Sequence, residues 1–313
     1  MNLSELDGYI WFDGKIVDWK EAQTHVLTYT LHYGLGVFEG VRAYLTPKGT
    51  CVFRLHDHTE RLFKSAKTIG MKIPFSSEEL IDAQRKIVSL NNLKESYIRP
   101  MCFYGSEGLG IRFDNLSVHA IVAAWEWPHY MEPEAQEKGI SVKVSSFNRP
   151  VRNEVANAKI NGNYVQSTVA LNEALEQGFE EILLLDSDGF VAEGSGENFF
   201  MVKDNKLITP DLEACLDGLT RRTIISLAKE LEVDFEERKI QESIKKSNAR
   251  IITVNPDFFV IEKTGFRHET DKLYNDLAPY GLLQFTRSGR IAVTKSKMGI
   301  SEILNTFKNQ KKK

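Results

Sequence analysis

The stretch from Glu126 to Lys138 constrains the fold of this chain more than any other. It sets Pro128, Pro133 and several acids between two blocks of apolar periodicity, a composition that suits a connector better than a core element. A chain of 313 residues can bury one large core or two smaller ones, and a connector near its middle points to two. The expected division is a smaller α/β domain over 1–125, a connector over 126–139 and a larger domain over 140–313.

Ahead of the connector, Tyr9-Ile10-Trp11-Phe12, Asp13-Gly14 and Lys15-Ile16-Val17 read as a β-hairpin, because Asp-Gly supplies the positive backbone angles of a tight primed turn. Leu62, Phe63, Ala66 and Ile69 recur at helical spacing, which predicts an amphipathic helix from Asp57 that stops at Gly70. A second helix is expected over Ser77 to Asn91, then strands over Tyr97 to Tyr104 and Val118 to Trp125. Beyond the connector the pattern gives a strand (Ile140 to Ser146), a helix (about Tyr164 to Gln177) and a strand (Glu181 to Leu185) closed by Asp186-Ser187-Asp188-Gly189. Two more strands and a helix starting near Thr220 follow. The fold class is α/β of the α+β type, with no internal repeat.

Composition excludes several functions. With 42% hydrophobic and 27% charged residues the chain reads as globular, and a net charge of -3 argues against a nucleic-acid protein, which would carry a basic stripe. Cys51, Cys102 and Cys215 lie far apart without zinc spacing, so a reduced, cytoplasmic setting is expected. Asn2, Ser4, Glu5 and Asp7 give a polar, acidic start unlike a secretory signal, and no apolar run reaches membrane-spanning length. His56, Asp57 and His58 look like a metal cluster but read better as the polar start of a helix, so no metal is expected. The Gly105 to Gly110 loop leads into no clear helix, which disfavours a dinucleotide site.

Three stretches can carry chemistry. In Ala158-Lys159-Ile160-Asn161-Gly162-Asn163-Tyr164, a lysine sits among small and polar residues just before a helix; desolvated, it is a nucleophile and base, and solvated it is an ordinary surface lysine. In Val191-Ala192-Glu193-Gly194-Ser195-Gly196-Glu197-Asn198, a carboxylate precedes glycines that permit close backbone approach; a plain turn with a solvated glutamate is the alternative. In Leu216-Asp217-Gly218-Leu219-Thr220-Arg221, helix-start amides and a hydroxyl can form an anion site, or Thr220 can simply be an N-cap.

These stretches occur together with His32-Tyr33-Gly34, Val37-Phe38-Glu39-Gly40-Val41-Arg42 and Tyr97-Ile98-Arg99-Pro100. With all of them in order, the chain resembles the branched-chain amino acid aminotransferases of the type IV pyridoxal-phosphate fold, from about Tyr9 to Glu237. The resemblance implies a two-domain type IV aminotransferase fold whose larger domain binds pyridoxal 5'-phosphate. It implies that Lys159 forms a Schiff base with the cofactor and shuttles the substrate proton, that Glu193 holds the pyridinium proton, and that Tyr164 contacts the ring oxygen. Arg61 would clamp the phosphate, with Gly218, Leu219 and Thr220 completing its site. Substrates would be leucine, isoleucine or valine and 2-oxoglutarate, bound between apolar walls from Tyr33, Phe38, Tyr130 and Tyr164, with Gly40 beside them. Arg99 would be the cation that addresses a side-chain carboxylate, and Tyr97 would help to position it. A homodimer or an assembly of dimers, with a partner loop sealing the site, is implied as well.

Between about Ser243 and Arg290 the family's pattern is lost. Where the family carries a Gly-Thr-Ala loop that donates to phosphate and carboxylate, this chain has Val254-Asn255-Pro256-Asp257, and Pro256 lacks a donor. Thr264-Gly265 is a faint trace of such a loop, and likeness returns near Gly289 to Lys295. Alternatives are therefore a D-amino-acid aminotransferase or aminodeoxychorismate-lyase-like enzyme of the same fold, or a pyridoxal-phosphate binder without turnover.

Overall fold

The Asp-Gly turn and the alternating strands of the first 125 residues build one antiparallel sheet. The computed structural model describes residues 2–127, 135, 138–203, 205–240, 249–254, 259–263 and 267–278. In it, β1 (Tyr9–Phe12) pairs with β2 (Lys15–Asp18) across Asp13 (φ 46°) and Gly14 (φ 85°), the positive angles the hairpin requires. A short helix α1 (Tyr29–Tyr33) ends on left-handed Gly34 and leads to β3 (Gly36–Phe38), β4 (Val41–Thr46) and β5 (Gly49–Val52). None of these four elements carries a periodic signal long enough to read from sequence.

Helices α2 (Leu55–Thr68) and α3 (Ser77–Leu90) follow, close to their expected bounds. Ser76 and Glu79 cap α3 reciprocally: the Glu79 amide donates to Ser76 Oγ (3.2 Å) and the Ser76 amide donates to Glu79 Oε2 (2.7 Å). Strands β6 (Ser96–Tyr104) and β7 (Val118–Trp125) complete the sheet, whose order is β2-β1-β7-β6-β4-β5 with β3 also on β6. The two helices lay Leu62, Ala66, Leu80 and Ile87 onto Val37, Val41, Ile98 and Val122, all essentially inaccessible. Truncating one of these, as in Leu62→Ala, costs about 2–5 kcal/mol.

Farther along the chain, β8 (Val142–Arg149) and β9 (Glu181–Asp186) run parallel, joined through helix α4 (Tyr164–Glu176), and β10 (Val191–Glu193) returns antiparallel. Asp186 closes the turn by accepting from the amides of Asp188 (2.9 Å) and Phe190 (2.8 Å), with Gly189 at φ 88°. Strands β11 (Met201–Lys203) and β12 (Lys206–Thr209) form a hairpin, and after helix α5 (Leu219–Glu230) strand β13 (Phe235–Glu237) joins β12 in parallel. Leu185, Val191, Ile208 and Ile240 form one core cluster here and Ala170, Ala174, Ile182 and Leu184 another. Strand β14 (Ala249–Val254) pairs with β15 (Phe259–Lys263).

Residues 1–262 make up one compact unit and 263–313 a second; among the described residues of the second, Arg267–Leu277 form helix α6. Tyr130, Thr264-Gly265 and the Gly289 to Lys295 stretch lie outside the described residues. Among the described residues no helix is long and apolar enough to cross a membrane.

Candidate active site

The segment carrying Lys159 is fixed from both sides before its side chain does anything. Its amide donates to Ser65 Oγ on α2 (3.1 Å), its carbonyl accepts from the Phe38 amide on β3 (3.3 Å), and Ile160 bridges Val37. The Gly162 amide donates to the Gly34 carbonyl (2.9 Å), an approach so close that a Cβ on Gly34 would stand 3.0 Å from Gly162 Cα. Nζ then donates to Tyr164 Oη at 2.6 Å and lies 4.9 Å from the centre of the Phe38 ring. Burial pushes the Lys159 pKa down to about 8, against the upward pull of Glu39, and burial pushes the Tyr164 phenol up to about 12. The amine is thus brought close to its neutral, nucleophilic form while the phenol keeps its proton.

Glu193 ends β10 and lines the same cleft as Tyr164. Its Oε2 accepts from the Leu216 amide (3.0 Å), and its Oε1 pairs with Arg149 Nη2 (3.1 Å). Arg149 is anchored in turn by donating to the carbonyls of Ala214 (3.2 Å) and Ala156 (2.7 Å). Burial raises the Glu193 pKa, and the Arg149 charge and the Leu216 bond work against that rise. A small cleft opens here, lined among others by Ala158, Tyr164, Ser167, Glu193, Ser195 and Leu216. A buried carboxylate aimed at such a cleft suits a cationic ring nitrogen.

The third stretch becomes the start of α5. Gly218, not Thr220, is the N-cap; Thr220 is exposed in the first turn. Gly218 offers no side chain to the first amides, and a Cβ there would overlap Asn198 Oδ1. Asn198 Nδ2 in turn donates to the Leu216 carbonyl (2.8 Å). An uncapped helix start with its partial positive charge is an anion site, and Arg61 reaches it by donating to the Asp217 carbonyl at 3.0 Å.

Phe38, Tyr97 and Arg99 are also brought together. The Arg99 guanidinium lies 4.5 Å over the Phe38 ring and donates from Nη2 to Tyr97 Oη at 2.7 Å. Its Nε is buried without a partner among the described residues. Gly40 lets Tyr97 in: a Cβ there would overlap Tyr97 Oη. Tyr33 is not part of this group within one chain; it is exposed, packs on Tyr29, and accepts at Oη from the Gly110 amide (3.2 Å).

Sequence reasoning missed Arg149 and misjudged His58. Arg149 sits at a strand end before Pro150 with no spacing to mark it. His58 is buried within α2, with Nδ1 at 2.8 Å from Glu39 Oε2, rather than forming a polar helix start. The donor set fits pyridoxal phosphate: a desolvated amine, a buried carboxylate that lines a cleft, and an uncapped helix start beside an arginine.

The sequence model of the amino-transferase class IV family matches residues 36–244. The chain is similar to a branched-chain-amino-acid aminotransferase of Pseudomonas aeruginosa, 53% identical over 241 residues that cover 77% of this chain and 78% of the relative. It superposes on the crystal structure of the Escherichia coli branched-chain amino acid aminotransferase with a TM-score of 0.74 at 42% identity, covering 76% of this chain and 79% of that one. It superposes also on the T.th. branched-chain amino acid aminotransferase with pyridoxamine 5'-phosphate, with a TM-score of 0.72 at 41% identity, covering 76% and 78%. The model of a second family, the small subunit of acetolactate synthase, matches residues 225–296.

Proposed function

The chain belongs to the class IV amino-transferase family and is a transaminase of the branched-chain kind, with the type IV fold; from that premise we propose that it moves the amino group of leucine, isoleucine or valine onto 2-oxoglutarate, using pyridoxal 5'-phosphate. The observation that carries this reading is the desolvated Lys159 amine, 2.6 Å from the Oη of Tyr164, a residue that lines one cleft together with Glu193. When bound, the cofactor supplies an electron sink for the bond broken at the amino acid's α carbon. The chain's residues do the rest. Lys159 Nζ would hold the cofactor, and as a free amine it would take the proton from the α carbon and return it. Tyr164 Oη keeps that amine aimed. Glu193, held by Arg149 and the Leu216 amide, would pair with the protonated ring nitrogen.

Arg61, Gly218, Leu219 and Thr220 would hold the phosphate, with the amides of α5 as donors. Phe38, Tyr164 and Tyr130 give the aliphatic walls, with Gly40 and Tyr97 beside Arg99. Arg99, whose Nε has no partner among the described residues, would address the second carboxylate of 2-oxoglutarate or glutamate, a group leucine lacks. The two-domain division around 126–139 remains part of the proposal, supported by apolar clusters drawn mainly from one side or the other. A cytoplasmic setting is proposed on the three free cysteines. A homodimer or an assembly of dimers is supported by an apolar surface from two bonded segments: Leu31 is 65% and Ile111 84% exposed, and Tyr29 Oη donates to the Ile111 carbonyl. Tyr33 on that surface would then wall the site of the second copy.

The test is glutamate formation from leucine and 2-oxoglutarate by wild type and Lys159→Ala. The reading expects turnover by wild type and a loss of at least about 10³-fold in the variant. A wild type that binds the cofactor yet forms no glutamate contradicts it.

A second reading concerns only the end of the chain. The departure from the aminotransferase pattern after Ser243 coincides with the match to the acetolactate synthase small subunit. We propose that this segment is a module of that kind, joined to the aminotransferase part and able to associate with an acetolactate synthase. Removing residues 245–313 should then abolish co-purification with purified acetolactate synthase; unchanged association contradicts it.

A further inference from the structure

Glu39 is fully buried, yet the mechanism above gives it no part. Its carboxylate is enclosed by one face of α2. Arg61 Nε donates to Oε1 at 2.7 Å, Arg61 Nη2 donates to Oε2 at 2.8 Å, and His58 Nδ1 lies 2.8 Å from the same Oε2. His58, Arg61 and Ser65 recur at helical spacing on that face, and Ser65 accepts from the Lys159 amide, so one helix stripe touches both the carboxylate and the lysine's backbone. The Glu39 amide is tied to the Pro100 carbonyl at 2.9 Å, which fixes the carboxylate from the sheet side.

This geometry decides what Arg61 can still do. Each guanidinium nitrogen already donates once: Nε and Nη2 to Glu39, and Nη1 to the Asp217 carbonyl just ahead of the α5 start. One further N–H remains on each terminal nitrogen, in the plane set by the carboxylate fork. Without Glu39 the long arginine side chain would have several rotamers to choose from, and holding it in one would cost the entropy that the fork has already removed.

We propose that Glu39, steadied by His58, is a positioning residue that locks Arg61 with its remaining N–H edge toward the start of α5, and so sets the chain's affinity for the phosphate group of its cofactor. The proposal rests on the reading of this site as one for pyridoxal phosphate. Burial alone would push the Glu39 carboxyl up, but the bonds from Arg61 and His58 outweigh it and hold the pKa down at about 2, so the fork stays charged throughout the working range.

The test compares equilibrium binding of pyridoxal phosphate and of pyridoxal, which lacks the phosphate, by cofactor absorbance, in wild type, Glu39→Gln, His58→Phe, Arg61→Ala and the double variant Glu39→Gln/Arg61→Ala. The proposal expects Glu39→Gln to weaken pyridoxal phosphate by about 10- to 100-fold while pyridoxal binding changes little. It expects the double variant to match Arg61→Ala, because a positioning residue has no effect once its target is gone. His58→Phe, the milder change, should show the same phosphate-selective loss at smaller size, and it keeps the test alive should Glu39→Gln fail to fold. Equal losses for both ligands in Glu39→Gln and His58→Phe, no loss in either, or additive effects in the double variant overturn the proposal. A wild type that binds neither ligand overturns the pyridoxal-phosphate reading itself, and this assignment with it.

Discussion

Lys159 Nζ and Tyr164 Oη share a 2.6 Å hydrogen bond across which burial drives two pKa values apart, the amine down to about 8 and the phenol up to about 12. The pair therefore joins a proton acceptor and a proton keeper, as the proposed transfer of a proton at one carbon requires.

The lysine's shift has a stability consequence. Its folded pKa of about 8 lies below the ordinary 10.5, so the unfolded chain binds more protons between those values and stability rises with pH across that window. Relative to Lys159→Met, cofactor-free wild type should gain at most about 3 kcal/mol from pH 8 to 10.5. Urea unfolding at several pH values checks this; a difference that stays flat, or falls as pH rises, contradicts it.

Arg149→Met removes the charge that offsets the burial of Glu193. An unpaired buried carboxylate should cost about 3–5 kcal/mol. Because the folded Glu193 pKa is already raised, that cost should grow as pH rises above the carboxylate range. The double variant Arg149→Met/Glu193→Leu should be more stable than Arg149→Met alone, as measured by denaturant melts.

Gly218→Ala would drive a Cβ into Asn198 Oδ1, and Asn198 supports the Leu216 carbonyl while the Leu216 amide supports Glu193. The expected loss is about 1–3 kcal/mol of stability, together with weaker cofactor binding. Adding Asn198→Ala should relieve part of the overlap, so the two changes together should cost less stability than their sum.

Arg99→Met separates the two half-reactions. The half-reaction with glutamate should fall by about 10²-fold, and that with leucine should change by only a few-fold, because leucine has no second carboxylate for Nε and its neighbours to meet. Stopped-flow absorbance of the bound cofactor measures both; equal losses would remove Arg99 from substrate selection.

What the sequence made legible followed from signal strength. The hairpin at Asp13-Gly14 and the helices holding Leu62 and Leu80 have long periods or demanding turn chemistry, and each lies close to its expected place. The short elements from Tyr29 to Val52 do not, because three to six residues hold no period; pairing with β6 and between β4 and β5 defines the strands among them instead. Lys159, Tyr164, Phe38, Glu193 and Arg99 were nameable because their motifs occur in order. Arg149 and the Glu39–His58 pair were not, since their roles come from contacts between residues 44 and 19 positions apart that no local pattern encodes. Thr220 was ambiguous because a helix start and an N-cap look alike until the backbone shows Gly218 at the cap.

The most direct test of the central claim is to incubate the purified chain with pyridoxal phosphate, reduce with borohydride, digest, and locate the pyridoxyl mass by peptide mass spectrometry. The account predicts the label on Lys159 and its loss when excess leucine is added before reduction. A label on another lysine, or a label on Lys159 that leucine leaves in place, would contradict it.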